Sequence, residues 1–309
     1  MAEIPSYFPY RSAAARDSYL TFYDALTAKQ WPLAAEERMV PTSYGETFVR
    51  VAGPAKAPPL VLLPGAVSTS LMWAPNIKAL SEVCRTYAVD QVGDVGRTTC
   101  TRPIRRLNDL LVWLDELFDA LEPGNRINLM GCSYGGSLAA EYAIHAPQRL
   151  SAIILVAPGA TVLHLNPQFV MRLALAAISS RRWLRPFICW VFADMVRKDP
   201  AWLDPMMDQL RLGMRSIQRR LPIPPVWRDA RWRALTVPAL FLVGEHETVY
   251  NAHKAVRRLE RVAPQVTADI IPAAGHDLTI AQAEMVNRKV IEFVKLRAAE
   301  AATCAVCAL

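Results

Sequence analysis

The sequence predicts an α/β fold with a mostly parallel central sheet, helices on both faces of the sheet and a helical insertion. Short apolar runs recur along the 309 residues, and longer stretches with helical periodicity separate them. Most of these runs are unbroken rather than alternating, as expected for parallel strands that are buried on both faces. The pattern is interrupted once, between residues 161 and 233.

Seven runs are predicted to be strands. In chain order they are Thr47–Val51, Leu60–Leu63, Arg85–Asp90, Arg126–Met130, Ile153–Val156, Ala239–Val243 and Ala268–Ile271. Leucines repeat at three- and four-residue spacing over Leu107–Leu121, which predicts an amphipathic helix, and Ala281–Ala299 is a similar closing helix.

The interrupted segment is predicted to be helical. Its helices are expected at Phe169–Ile178, Trp183–Val196 and Trp202–Leu212, followed by an extended connector at Leu221–Trp227. We therefore predict a core made of residues 1–160 and 234–309 and a helical cap made of residues 161–233. Pockets favour such junctions, and Trp183, Trp190, Trp202, Met206 and Met207 are candidates to line one.

Composition narrows the possible functions. The net charge is +7, but no basic run is interleaved with stacking aromatics, so a solvated basic surface is favoured over a nucleic-acid partner. We find no 18-residue uncharged stretch, which argues against a stable membrane span. The N-terminus does not resemble a secretory signal, and the six cysteines show no disulfide framework, so a cytoplasmic location is expected.

The strongest local motif is Gly131-Cys132-Ser133-Tyr134-Gly135, directly after a predicted strand. It matches G-x-S-x-G, in which a serine on a tight strand-to-helix turn exposes its hydroxyl. The small residues on either side let the strand and the helix approach closely, and the helix N-terminus favours developing negative charge. Ser133 is therefore predicted to be a nucleophile.

With this motif the chain resembles the α/β-hydrolase superfamily over essentially its whole length, and more narrowly the single-domain bacterial serine hydrolases and carboxylesterases with a helical cap. Five landmarks in the family's order carry the resemblance: Leu62–Ala66, Val89–Arg97, the Ser133 turn, Gly244–Glu247 and Gly275–Leu278. The resemblance implies an α/β-hydrolase fold and a catalytic triad in the order serine, acid, histidine.

The triad's base and acid follow from that order. Of the five histidines, His276 follows the last predicted strand, which is where the superfamily places its base. The acid commonly lies three residues after a glycine in the loop beyond the strand that follows the cap. That position is Glu247 here, where the family usually has Asp, and Glu245 is the alternative.

The oxyanion hole implied by the resemblance is formed by two backbone N–H groups, those of Tyr134 and Ala66. The family has His-Gly-x in the second loop, whereas this chain has Pro64-Gly65-Ala66. Proline removes a side chain that braces the loop, but it does not remove the donor, which belongs to Ala66.

The sequence thus predicts a cofactor-independent serine hydrolase that cleaves a small-molecule carboxylic ester through an acyl-enzyme. Hydrolysis of a carbon–carbon or amide bond on the same triad is an alternative, as is a non-catalytic ligand-binding protein on this fold. No metal site is expected, because the lone pair Cys304 and Cys307 lacks the second ligand pair of a tetrahedral zinc site. The sequence leaves a homodimer open.

Overall fold

A computed structural model describes residues 4–121, 126–178, 180–218 and 221–307. Within these ranges, eight strands form one sheet in the order β1-β2-β4-β3-β5-β6-β7-β8. The strands are β1 (Glu36–Thr42), β2 (Gly45–Ala52), β3 (Pro59–Leu63), β4 (Arg85–Val89), β5 (Ile127–Cys132), β6 (Leu150–Val156), β7 (Ala239–Gly244) and β8 (Val266–Ile271). β2 pairs antiparallel with β1 and β4. The other six strands, β3 to β8, are parallel to one another.

Twelve α-helices occur in the described parts of the chain. They are α1 (Ala13–Gln30), α2 (Ala74–Ser81), α3 (Leu107–Leu121), α4 (Tyr134–His145), α5 (Pro167–Ala176), α6 (Arg181–Val191), α7 (Ala193–Lys198), α8 (Leu203–Ser216), α9 (Asp229–Arg233), α10 (Ala252–Val262), α11 (Leu278–Ala281) and α12 (Ala283–Cys307). No helix among the described residues is long and apolar enough to cross a membrane.

The sheet lies between two apolar layers. Residues of α3, α4 and α10 pack on one face, and residues of α2 and α12 pack on the other. Central strands such as β3 are buried along their whole length, because both of their faces meet a helical layer. The predicted fold class, an α/β-hydrolase fold with a mostly parallel sheet, is confirmed.

The seven predicted strands correspond to β2–β8, with ends that differ by up to three residues. The sequence prediction names only part of the observed elements, and those outside it are α1, β1, α2, α9, α10 and α11. The predicted helix Trp183–Val196 is divided in the structure, because Phe192 leaves helical geometry (φ −114°, ψ 38°) between α6 and α7. The connector Leu221–Trp227 contains neither helix nor strand.

Helices α5–α9 follow β6 and precede β7, within the segment predicted to be a cap. Helices α5, α6 and α8 bury a small apolar cluster of their own around Leu184, Ile188 and Met207. The exact domain boundaries stay a prediction.

Strand direction brings distant residues together. Because β3, β5, β7 and β8 are parallel, their carboxyl ends meet at the same edge of the sheet. Leu63 is in register with Gly131, and Gly244 is in register with Ile271. The loops that follow these four strands carry Pro64–Ala66, Ser133, Glu247 and His276.

Candidate active site

Ser133 occupies a strained turn between β5 and α4. Its backbone has φ 52° and ψ −114°, a conformation that costs a residue with a side chain about 1–3 kcal/mol. Hydrogen bonds retain it there: the Ser133 N–H donates to Val156 O at 2.9 Å, and its carbonyl accepts from Gly159 N at 3.1 Å. The turn leaves the Ser133 side chain partly exposed in a cavity under the cap.

The glycines of the motif are required by close backbone contacts. A Cβ at Gly131 would overlap the Gly135 carbonyl, and a Cβ at Gly135 would lie 2.5 Å from the carbonyl oxygens of Leu63 and Pro64. A Cβ at Gly136 would lie 2.9 Å from the Gly131 oxygen. The approach of α4 to β5 and to the β3 loop is therefore possible only without side chains at these positions.

Glu247 and His276 form a buried pair. His276 Nδ1 lies 2.9 Å from Glu247 Oε2, and the two side chains are 11% and 0% exposed. The other carboxylate oxygen, Oε1, accepts the Val249 N–H at 2.8 Å, so both oxygens have a defined partner. With Nδ1 directed to Glu247, Nε2 is the ring nitrogen left for Ser133, which lines the same cavity as His276.

Two opposing effects act on the pKa of His276. Burial lowers it, whereas the charge of Glu247, its hydrogen bond and the charge of Asp277 raise it, and the net pKa lies above the usual value. Glu247 therefore favours the imidazolium that forms when His276 accepts a proton. Next to the serine, burial raises the pKa of the Cys132 thiol to about 12, so this thiol stays protonated near neutral pH.

The alternative acid, Glu245, points elsewhere. Its side chain is 47% exposed, and its Oε2 accepts the Ala273 N–H at 3.2 Å. Other histidines also have separate surroundings: His145 bonds Asp115 at 2.8 Å, and His246 bonds Asp194 at 3.0 Å. Of the two candidate acids, Glu247 is the one in contact with His276.

The two predicted oxyanion donors lie on either side of Ser133. Tyr134 begins α4 directly after the serine, and the Pro64–Ala66 loop runs alongside, so that a Cβ on Gly65 would lie 3.6 Å from Ser133 Cβ. Gly65 and Ala66 line the cavity together with Ser133. This arrangement is compatible with the predicted N–H pair of Ala66 and Tyr134.

Asp94, a residue to which the sequence assigned no role, supports the loop that is predicted to supply an oxyanion donor. Its Oδ2 accepts the Val67 N–H at 3.0 Å, and its Oδ1 accepts the Val95 N–H at 2.9 Å, with only 2% of the residue exposed. Val67 has a positive φ of 54°, which a β-branched residue adopts only under constraint. Asp94 thus holds Val67, the residue that follows the Pro64–Ala66 segment, in place. The only sequence signal was its place inside the Val89–Arg97 landmark.

A buried polar cluster lies behind this brace. Asp90 accepts N–H groups from Ser70 (2.8 Å) and Arg97 (2.9 Å) and the Tyr23 hydroxyl (3.2 Å). Burial raises the pKa of Asp90, and the nearby Arg50 guanidinium counteracts this effect. Tyr23 belongs to α1, so this N-terminal helix contributes directly to the support of the active-site loops.

The cavity beside Ser133 has a volume of about 220 Å³ and is mainly apolar. Its cap wall is formed by Phe169, Leu173, Leu184, Phe187, Val191 and Met206, among others. A second cavity of about 320 Å³ shares Met72, Met206 and Leu210 with it. The two cavities therefore adjoin.

The candidate lining residues named from the sequence divide into different environments. Met206 lines the active-site cavity, and Trp202 lines the adjoining one. The prediction is wrong for Trp183, which is 41% exposed at the surface, for Met207, which is buried in the cap cluster, and for Trp190, which packs against Phe169 behind the wall. Whether a residue lines a cavity depends on the side of its helix on which it lies, and composition alone does not reveal that side.

Helix α7 is tied to the loop that carries His276. Asp277 Oδ2 accepts the Met195 N–H of α7 at 2.7 Å, and its Oδ1 accepts the Gly275 N–H at 2.9 Å. Burial raises the pKa of Asp277, whereas these two N–H donors lower it. The position of His276 is thus coupled to the docking of α7.

No group of three or more His, Cys, Asp or Glu residues suited to a metal ion occurs in the described part of the chain. The side chains of Cys304 and Cys307 lie outside the described residues. The serine, histidine and carboxylate that meet at the site suit acyl transfer.

Comparison with known proteins identifies the family of this chain. The model of the alpha/beta hydrolase family matches residues 60–288, so the chain belongs to the alpha/beta hydrolase family. The predicted family and the predicted class of enzyme, a hydrolase, are confirmed.

Two relatives from Bacillus subtilis span nearly the whole chain. The carboxylesterase YbfK is 32% identical over 91% of this chain and 96% of its own length, and the carboxylesterase nap is 32% identical over 89% and 91%. The crystal structure of naproxen esterase (carboxylesterase NP) from the same organism superposes with a TM-score of 0.83 at 30% identity, covering 92% of this chain and 99% of the other.

Proposed function

We propose that this protein is a carboxylesterase in which Ser133 is the nucleophile, His276 the general base and Glu247 the residue that orients the base. The observation that carries the proposal is the buried 2.9 Å contact between Glu247 Oε2 and His276 Nδ1, behind a cavity that His276 and Ser133 both line. The similarity to bacterial carboxylesterases supports an ester as the substrate.

In this mechanism Ser133 Oγ attacks the ester carbonyl carbon while its proton passes to His276 Nε2. The tetrahedral oxyanion is held by the Ala66 and Tyr134 N–H groups, each worth roughly 10²–10³ in rate. The intermediate collapses, the C–O bond to the alcohol breaks, and His276 gives its proton to the leaving alcohol. Water, deprotonated by His276, then attacks the acyl-enzyme, and the carboxylic acid and free Ser133 are released.

The cavity wall favours a neutral, apolar substrate. The described residues that line it include no lysine or arginine, so the wall carries no such cation to pair with a substrate carboxylate or phosphate. Aliphatic and aromatic side chains dominate instead, which suits burial of an apolar acyl or alcohol group.

The test is hydrolysis of p-nitrophenyl esters from acetate to laurate by the wild type and by Ser133→Ala. We expect saturable hydrolysis by the wild type, loss of turnover in the variant, and labelling of Ser133 by a fluorophosphonate in the wild type only. Carbon–carbon or amide hydrolysis becomes the better interpretation if the fluorophosphonate labels Ser133 but no ester is cleaved. A ligand-binding protein becomes the better interpretation if Ser133 is neither labelled nor active.

Other expectations from the sequence stay predictions. They are the absence of a nucleic-acid partner, a cytoplasmic location and the open question of a homodimer. Cys84, Cys100, Cys132 and Cys189 are free thiols, which is compatible with a reducing compartment.

A further inference from the structure

Helix α5 of the cap is apolar on two faces. Its inner face directs Phe169 and Leu173 to the active-site cavity and buries Ala176. Its outer face is a second apolar stripe at helical spacing, which continues just past the end of the helix: Pro167, Val170, Met171, Ala174, Leu175 and Ile178, all exposed. We call these six residues the α5 stripe.

The exposure of the stripe is large for apolar side chains. Met171 and Ile178 are 58% and 62% exposed, and Trp183, in the first turn of α6, adds an exposed aromatic ring. A helix with apolar residues on all sides is ordinarily covered on all sides. A contiguous exposed apolar surface of this kind marks a site for binding a membrane or another protein.

The charge around the stripe is positive. Residues 161–233 contain 13 basic and 5 acidic residues, which accounts for more than the whole net charge of +7. No acidic residue occurs between Glu141 and Asp194, a range that includes α5 and α6. Arg181 bonds Asp208 of α8 at 2.8 Å, whereas Arg182 and Arg185 are exposed within seven residues of Ile178.

The charge around the α5 stripe favours a lipid surface over a second copy of the chain as its partner. In a symmetric dimer built on the α5 stripe, the arginines of one copy would approach those of the other, and like charges repel. An exposed helix with apolar residues and flanking arginines instead has the composition of an interfacial helix, which lies in the headgroup region with its apolar side chains inserted. Arginines at its end contact anionic headgroups while their stems follow the apolar surface.

We propose that the α5 stripe, with Arg182 and Arg185, docks the cap on an anionic lipid surface. The protein lies on the bilayer and does not span it. Leu173 lines the catalytic cavity and is itself 40% exposed, so the docked helix separates lipid from the active site by a single layer of side chains. An apolar ester dissolved in the bilayer then has a short path to Ser133. The docking itself does not depend on the proposed esterase activity.

The experiment is co-sedimentation of the full chain with vesicles of phosphatidylcholine alone and of equimolar phosphatidylcholine and phosphatidylglycerol. We expect binding to the anionic vesicles, weakening as salt is added, and little binding to the neutral ones. Met171→Glu with Ile178→Glu should abolish binding. Arg182→Glu with Arg185→Glu should lower the partition coefficient by at least about 25-fold, because the loss of each arginine near the surface costs roughly fivefold and each glutamate adds repulsion.

Matched controls make the same changes elsewhere on the surface. Met39→Glu with Leu296→Glu replaces two exposed apolar residues outside the cap, and Lys254→Glu with Arg257→Glu reverses two exposed charges on α10. Both control variants should bind as the wild type does. Hydrolysis of soluble p-nitrophenyl acetate should be unchanged in all four variants, and circular dichroism spectra report folding independently of activity.

Three outcomes would overturn the proposal. One is a wild type that binds neither vesicle, and another is equal loss of binding in the control variants. The third is a wild-type dimer in analytical ultracentrifugation that Met171→Glu with Ile178→Glu dissociates while vesicles bind neither protein. In that case a second copy of the chain covers the stripe.

Discussion

Replacing Glu247 with glutamine tests the orientation of the catalytic base. Oε1 accepts the Val249 N–H, so the glutamine carbonyl oxygen is expected to occupy that position. The amide NH₂ then takes the place of Oε2, 2.9 Å from His276 Nδ1, and donates to it. A ring that accepts at Nδ1 carries its proton on Nε2, and this tautomer cannot take the proton of Ser133.

The expected loss is large. A neutral, wrongly paired histidine in a serine triad lowers kcat by about 10⁴, or about 5.5 kcal/mol of transition-state stabilisation at 1.36 kcal/mol per factor of ten. KM should change little, because Glu247 is fully buried behind His276 and does not line the cavity. The assay is steady-state hydrolysis of p-nitrophenyl butyrate, with thermal unfolding as the check on folding.

The pH profile gives a second, independent readout. The rise of kcat/KM with pH follows deprotonation of His276 in the free enzyme, and Glu247 raises that pKa. In Glu247→Gln the attraction is removed and the amide opposes protonation, so the acidic limb should move to lower pH. Glu245→Gln is the matched control and should keep both the wild-type kcat and the acidic limb of the wild-type pH profile. If Glu247→Gln keeps them and Glu245→Gln does not, the assignment of the acid is refuted.

Three further changes test the surroundings of the site. Gly135→Ala places a Cβ 2.5 Å from two backbone carbonyl oxygens and should destabilise the fold by about 1–3 kcal/mol or more in urea unfolding, whereas Gly65→Ala, with no contact below 3.6 Å, should cost far less. Asp94→Asn leaves one oxygen for two N–H donors, so the Val67 loop loosens, and kcat should fall about tenfold for a lost hydrogen bond of about 1.4 kcal/mol, with KM preserved. An unchanged kcat would exclude Asp94 as the brace. Met206→Trp fills the junction of the two cavities and should reduce kcat/KM for laurate esters while sparing acetate; equal effects on both would show that the junction is not used.

The elements that were predictable from the sequence are those whose structure can be inferred from residues that are neighbours in the chain. The apolar runs predicted β2–β8, because a strand buried on both faces has a composition that is readable over five residues. In contrast, β1 (Glu36–Thr42) is a polar edge strand containing a proline, and only its pairing with β2 makes it a strand. Helix α1 buries Tyr19, Tyr23 and Leu26 on a narrow stripe that is weak in isolation.

By itself the sequence determined the fold class, since a strand–turn–helix motif and its glycines are local features, and the family resemblance predicted the order of serine, acid and histidine. Only the tertiary structure shows that Glu247 and not Glu245 contacts His276, because a two-residue difference in one loop reverses which carboxylate faces this histidine. It also revealed the support of Asp94 for the Val67 loop, a contact that joins residues 27 positions apart. Such contacts depend on which strands become neighbours in the sheet, and this is a property of the whole chain's packing rather than of any segment of it.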